Sequence, residues 1–159
     1  MNIDNNDDSR NRKLNPRKHP LGHEYKANNR PSIVLDLHWA PLSEDEKTFM
    51  QDVPRILGSG LYANLGHAQG GSAILLADGL RVNKLEGKVY SVDIFPTASL
   101  IRRANRFLAK YEVEPWIQIC PGSTDEFAIE LKDLRFNFVF VDADHSYESV
   151  KRDITNWMP

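Results

Sequence analysis

Two carboxylates and an imidazole, Asp142, Asp144 and His145, stand together just past the apolar run Phe138-Val-Phe-Val141. Such a cluster can serve as general base, metal ligands or substrate anchors. Asp144 or Ser146 can equally cap the helix that follows, and for Ser146 alone capping is the favoured role. A second constellation is Tyr62-Ala-Asn-Leu-Gly66-His-Ala-Gln-Gly70-Gly71-Ser72, a strand running through a glycine turn into a helix. Glycines there allow a sharp turn and a close backbone approach to a ligand. The helix start behind them offers free N–H groups and a positive dipole end. The spacing, G-x-x-x-G-G, is neither the dinucleotide G-x-G-x-x-G nor a phosphate-binding G-x-x-x-x-G-K-[ST] loop, and a glycine turn alone is weak evidence. His67 inside it reads as a surface histidine in preference to a contact with a ligand carboxylate.

Two further strand ends complete the candidates. The segment KVYSVDIF delivers Asp93 about 20 residues after the glycine turn, where a carboxylate can accept from both hydroxyls of a ribose. A solvated aspartate at a strand end is the plainer alternative. Cys120-Pro-Gly122-Ser123-Thr124-Asp125 is a polar turn opening a helix. Ser123 or Thr124 caps that helix or contacts an adenine; capping is favoured, and the two roles are compatible.

The elements that must position these residues are legible from periodicity. Ser43-x-x-Glu46 is a capping box ahead of a helix to about Leu57, with Pro54 marking a kink or restart inside it. Strands are expected at Leu61–Leu65, Lys88–Val92, Trp116–Cys120 and Phe136–Val141. Helices are expected from Gly71 to Leu80 or beyond, and at Thr97–Lys110, Thr124–Leu131 and Tyr147–Trp157. Strands alternating with helices imply right-handed βαβ units and a parallel sheet, and the run Phe138–Val141 is apolar on both faces, as in a covered strand. In such sheets ligands bind past the carboxyl ends of the strands, where strand order reverses.

Composition bounds the rest. A chain of 159 residues and 18.2 kDa suits one domain with a real core. Net charge of −2 carries no footprint of a nucleic-acid or membrane binder. The single cysteine, Cys120, excludes an internal disulfide and a Cys-rich zinc site and suits a reducing cytoplasm. No apolar run is long enough for a membrane helix, and the N-terminus lacks the apolar core of a secretory signal. Residues 1–30 are polar, rich in Asn, Asp, Arg and Lys, and read as a disordered tail. Ser32–His38 reads as a strand or an ordered arm, and residues 31–159 form the domain.

NLGHAQGGSAILLADGL, VYSVDIF and FVFVDADHSYESVKRDITNWMP together resemble the class I S-adenosylmethionine-dependent methyltransferases of the D-G/A-D-H-S-Y type, similar to methyltransferase domain 24. The resemblance covers about residues 45–159 and has its motifs in the family's order. It implies a Rossmann-like three-layer αβα fold, of which strand order 3-2-1-4 is present and strands 5–7 are not. It also implies S-adenosylmethionine as cofactor. Asn64, Gly66, Gly70 and Gly71 would face the methionine end and the sugar, with Ser72 beside them. Asp93 would hold the ribose, Ile94 would also contact the cofactor, and Ser123 and Thr124 would lie near the adenine. Asp142 would border the sulfonium, and Asp142 and His145 would carry catalysis, with Asp142 and Asp144 admitted as ligands of a divalent metal. Many relatives have an acid at the position of Asn64; an amide brings no negative charge toward a sulfonium.

These features imply a methyltransferase acting on a small-molecule or sugar-like acceptor, with nucleic acid and membrane not expected as partners. A strand-4 edge left open is expected to be covered by a second copy or by a missing C-terminal half. A non-catalytic cofactor-binding or subunit module is the alternative that Asn64 and the absent strands favour. A metal-dependent hydroxylase-like protein also carries a similar D-x-D-H-S-Y stretch. A nicotinamide oxidoreductase is disfavoured by the glycine spacing.

Overall fold

A computed structural model describes residues 37–95 and 97–158. The expectation for residues 1–30 lies outside them. Of the Ser32–His38 stretch only Leu37 and His38 are described; they lie in a turn, with Leu37 fully buried.

Helix α1 (Glu44–Leu57) starts as its sequence predicts. The Ser43 hydroxyl accepts from the Glu46 N–H at 3.3 Å, and the Glu46 carboxylate accepts from the Ser43 N–H at 2.7 Å. It passes through Pro54 as one helix, without the anticipated restart. There follow β1 (Gly60–Leu65), α2 (Gly71–Val82), β2 (Gly87–Asp93), α3 (Ala98–Lys110), β3 (Ile117–Pro121), α4 (Thr124–Glu130), β4 (Phe136–Val141) and α5 (Tyr147–Trp157). A 3₁₀ turn at Glu114–Trp116 takes up Trp116, the expected first residue of β3.

The strands are all parallel and ordered β3-β2-β1-β4, so the chain steps one way from β1 to β2 and β3, then returns to β1's other side for β4. The fold is the expected Rossmann-like α/β arrangement, and β1 and β4 flank its switch point. Strand period two sorts side chains to two faces. Tyr62, Val89 and Phe138 face a core built with α1, α2 and α3. Ala63, Leu65, Val92, Val139 and Val141 face a second core, closed by Phe127 of α4 and Trp157 of α5. The Trp157 indole N–H donates to the Thr124 carbonyl at 3.1 Å and so ties α5 to the start of α4. Strand β4 is half-buried for nearly its whole length, as an edge strand must be. No helix among the described residues is long and apolar enough to cross a membrane.

Helices α1 and α2 cross at Gly79, which is buried; a Cβ there would overlap the Gln51 carbonyl of α1 and sit 2.9 Å from Pro54 Cδ. Helix propensity alone would credit Gly79→Ala with a gain of about 1 kcal/mol. The backbone contact predicts a net loss of about 1–2 kcal/mol instead, because the colliding atom is a carbonyl and not a flexible tip. The urea midpoint of Gly79→Ala is expected to fall at unchanged m-value; a midpoint at or above the parent's would contradict this.

Candidate functional site

The strand exits are locked into one row. Beyond the strands themselves, the Gly122 N–H donates to the Asp93 carbonyl, the Gly66 N–H to the Val92 carbonyl and the Asp142 N–H to the Leu65 carbonyl, each at 2.9 Å. Gly122, Asp93, Gly66 and Asp142 therefore line the carboxyl edge in the order β3-β2-β1-β4. Gly66 has φ +96°, and a Cβ on it would overlap the Asp142 carbonyl, so only glycine lets the β1 and β4 exits close on each other.

Asp93 at the tip of β2 is the clasp of this edge. Its Oδ2 accepts the backbone N–H groups of both His67 and Ala68 at 2.9 Å, which holds the turn after β1 against β2. Its Oδ1 takes no hydrogen bond among the described residues and stays available to a hydroxylated ligand. Beside it Ile94 is 70% exposed, an apolar surface at the same edge.

Behind the turn lies a buried polar chain that spacing did not reveal. Asn64 and Ser91 are register partners on β1 and β2, on the face covered by α2. The Ser72 hydroxyl donates to Asn64 Oδ1 at 2.7 Å, and Asn64 Nδ2 donates to Ser91 Oγ at 3.0 Å and to the Gly66 carbonyl at 2.9 Å. Ser91 Oγ lies 2.8 Å from His67 Nδ1. Asn64 is fully buried, with both amide hydrogens and one lone pair of Oδ1 engaged inside the protein, and Ser72 is bonded to it there. An acid at this position would supply none of Asn64's donors. His67, expected at the surface, is 1% exposed, its ring tilted against Phe95 at 5.2 Å between centroids.

The glycines divide by task. Gly70 (φ +90°) begins α2 with no side-chain cap; its missing Cβ would sit 2.9 Å from His67 Nε2. Gly71 packs on Ala40, whose Cβ an added methyl would strike, so its smallness serves packing. Ser123 caps α4 in a second capping box with Glu126, the favoured reading; Thr124 contributes its carbonyl to Trp157.

At the exit of β4, Asp142 Oδ1 and His145 Nε2 stand 3.8 Å apart, both open to solvent, with the imidazole 83% exposed. Asp144 is spent on structure. Its Oδ1 accepts the Ser146 N–H at 3.0 Å, and its Oδ2 accepts the hydroxyls of Ser149 at 2.7 Å and Ser146 at 3.0 Å. Those bonds, the Ser149 hydroxyl foremost, hold its carboxyl below the usual carboxylate range. Among the described residues no three His, Cys, Asp or Glu side chains converge to hold a metal ion. Asp142 and Asp144, admitted through the resemblance as ligands of a divalent metal, both stand at this exit, with the Asp144 carboxylate already bonded to Ser146 and Ser149.

Burial pushes His67 down to about 4 from 6.5, with the Asp93 charge opposing only in part. Between those values the unfolded chain takes up the proton and the folded chain does not, so stability rises with pH through the window and is fully present above it. The histidine's contribution totals about 3 kcal/mol. Chemical denaturation of the parent is expected to lose stability between pH 6.5 and 5.5, with a shallower slope for His67→Asn; identical slopes would contradict a buried neutral imidazole.

No curated protein matches this chain in sequence. Solved structures match its fold. An O-methyltransferase from Bacillus cereus in complex with S-adenosylhomocysteine (SAH) aligns with a TM-score of 0.60 at 19% identity, over 80% of this chain and 60% of its own. TomG, the O-methyltransferase from Streptomyces achromogenes involved in tomaymycin synthesis, solved with S-adenosylmethionine (SAM), gives 0.59 at 21%, over 79% and 56%. The SAH-bound Podospora anserina methyltransferase PaMTH1 gives 0.59 at 19%, over 83% and 59%. The chain thus spans less than two thirds of the length of these structures. A family model described as a methyltransferase domain matches residues 63–159, from the second half of β1 through α5 and well over half of the chain. The chain belongs to this methyltransferase domain family.

Proposed function

We propose that the carboxyl edge binds S-adenosylmethionine and that the chain is the cofactor-binding part of a methyltransferase acting on a small-molecule or sugar-like acceptor. The observation that carries this reading is the locked row Gly66, Asp93 and Asp142 at the switch point, with one oxygen of Asp93 left free. Its residues fit the group: Asp93 Oδ1 suits ribose hydroxyls, Ile94 offers an apolar seat, and the uncapped start of α2 offers N–H groups to a carboxylate. That relatives of the same fold hold SAM or SAH supports it. When bound, the cofactor supplies an electrophilic methyl group on a sulfonium.

The residues of this chain then position and deprotonate. Asp142 offers a carboxylate where the β1 and β4 exits meet. His145 Nε2 takes the proton from the acceptor hydroxyl, and the Asp142 carboxylate stabilises the imidazolium that forms. Much of the rate comes from in-line alignment of acceptor and methyl group. A further strand, supplied by a second copy or by additional sequence, covers the β4 edge and helps shape the acceptor site. The single cysteine, buried at Cys120, fits a reducing compartment such as the cytoplasm.

Calorimetric titration with SAM and SAH is expected to show binding, with NAD as a blank control. Asp93→Ala is expected to weaken SAH at least tenfold, since it removes both the ribose acceptor and the turn's clasp; unchanged affinity would contradict the site. With an acceptor in hand and SAM saturating, Asp142→Ala together with His145→Ala is expected to lower turnover by about 10²–10⁴. Undiminished turnover would remove both residues from the chemistry.

A further inference from the structure

The polar chain behind the turn has one proton to spare, and counting donors locates it. Ser72 donates its hydroxyl hydrogen to Asn64 Oδ1. Both amide hydrogens of Asn64 are used, one on the Gly66 carbonyl and one on Ser91 Oγ. Ser91 Oγ lies within bonding distance of two groups among the described residues, the donating Asn64 Nδ2 and His67 Nδ1 at 2.8 Å, so its own hydrogen goes to His67 Nδ1. The imidazole is then neutral with its proton on Nε2, which is buried and has no partner. A protonated ring would need Ser91 to accept at Nδ1 while it already accepts from Asn64, which would strand the serine's hydrogen.

His67 is also the residue through which the turn grips β2. Its N–H binds Asp93, its ring binds Ser91, and its carbonyl accepts the Gly70 N–H at 2.6 Å. Gly70 lies over the ring, at the start of the helix whose first N–H groups remain uncapped. Rotating the imidazole would move Gly70 and the α2 start together. We infer that His67 is the positioning residue of the ligand-binding turn, holding it in binding shape as the neutral Nε2–H tautomer with Nδ1 accepting from Ser91. The inference rests on the cofactor reading for the identity of the ligand, though not for the state of the ring.

Two measurements test it. In the intact chain labelled with ¹⁵N-histidine, one imidazole is expected to show a protonated Nε2 and an unprotonated, hydrogen-bonded Nδ1, and to hold that state through pH 6; His67→Asn assigns it. An Nδ1–H tautomer, or a doubly protonated ring by pH 6, would overturn the inference. The second measurement is SAH affinity beside melting temperature for His67→Asn and His67→Phe. Asparagine keeps an acceptor at the distance of Nδ1 and is expected to bind within about threefold of the parent. Phenylalanine fills the space without an acceptor and is expected to bind at least tenfold more weakly, with a further Ser91→Ala costing little more. Equal losses in both variants, tracking melting temperature alone, would reduce His67 to a packing residue and overturn the inference. If the parent itself does not bind SAH, the cofactor reading fails, while the imidazole spectrum still decides the state of the ring.

Discussion

The site depends on one carboxylate oxygen. Asp93 Oδ2 accepts two consecutive backbone N–H groups, from His67 and Ala68, across a separation in sequence that only the parallel pairing of β1 and β2 closes. Hydrogen bonds to an ionised acceptor are about twice as strong as neutral ones. This pair satisfies donors that an irregular turn would otherwise leave exposed. Ala68 is held at φ +44°, a conformation a non-glycine residue adopts only when its surroundings impose it. The turn is therefore a consequence of the β2 tip, and both are consequences of register.

The same register explains the interior of the site. Asn64 and Ser91 lie opposite each other, one residue before the C-terminal pair of the β1–β2 ladder, on the face that α2 covers. Two positions earlier that face is apolar, with Tyr62 against Val89. The switch from apolar to polar places hydrogen-bonding groups directly beneath the glycine turn. A buried polar chain in which Ser72, Asn64, Ser91 and His67 Nδ1 are joined in sequence specifies one geometry more sharply than an apolar filling would, because any slip strands a further donor. On the other side of the switch point, Gly66 lets the β4 exit close in, and Asp144 locks the start of α5 so that Asp142 and His145 project from a fixed corner.

Much of this was readable in the residues. Both capping boxes, Ser43 with Glu46 and Ser123 with Glu126, are local patterns, and both form. The β-α alternation and the position of Asp93 at a strand end follow from periodicity and spacing, which report backbone geometry faithfully, while the strand order came with the family resemblance. What spacing could not report is which way a polar side chain at a strand end turns. Asn64 and His67 are drawn inward by Ser91, Asp144 is drawn back by Ser146 and Ser149, and Gly71 is fixed by Ala40. Each of those outcomes is decided by a partner on another element or by competition within one turn. A serine in the middle of VYSVDIF was the available signal, since a polar residue on a covered strand needs a buried partner.

The most direct test is amide hydrogen exchange at His67 and Ala68, in the parent and in Asp93→Ala, each with and without SAH. If the Asp93 carboxylate clasps the turn and the turn holds the cofactor, both amides exchange slowly in the parent and slower still with SAH. In Asp93→Ala, which removes the acceptor, they exchange quickly, and SAH restores little protection. Exchange that is equally slow in both proteins, or unchanged by SAH in the parent, would contradict the dependence of the site on this one interaction.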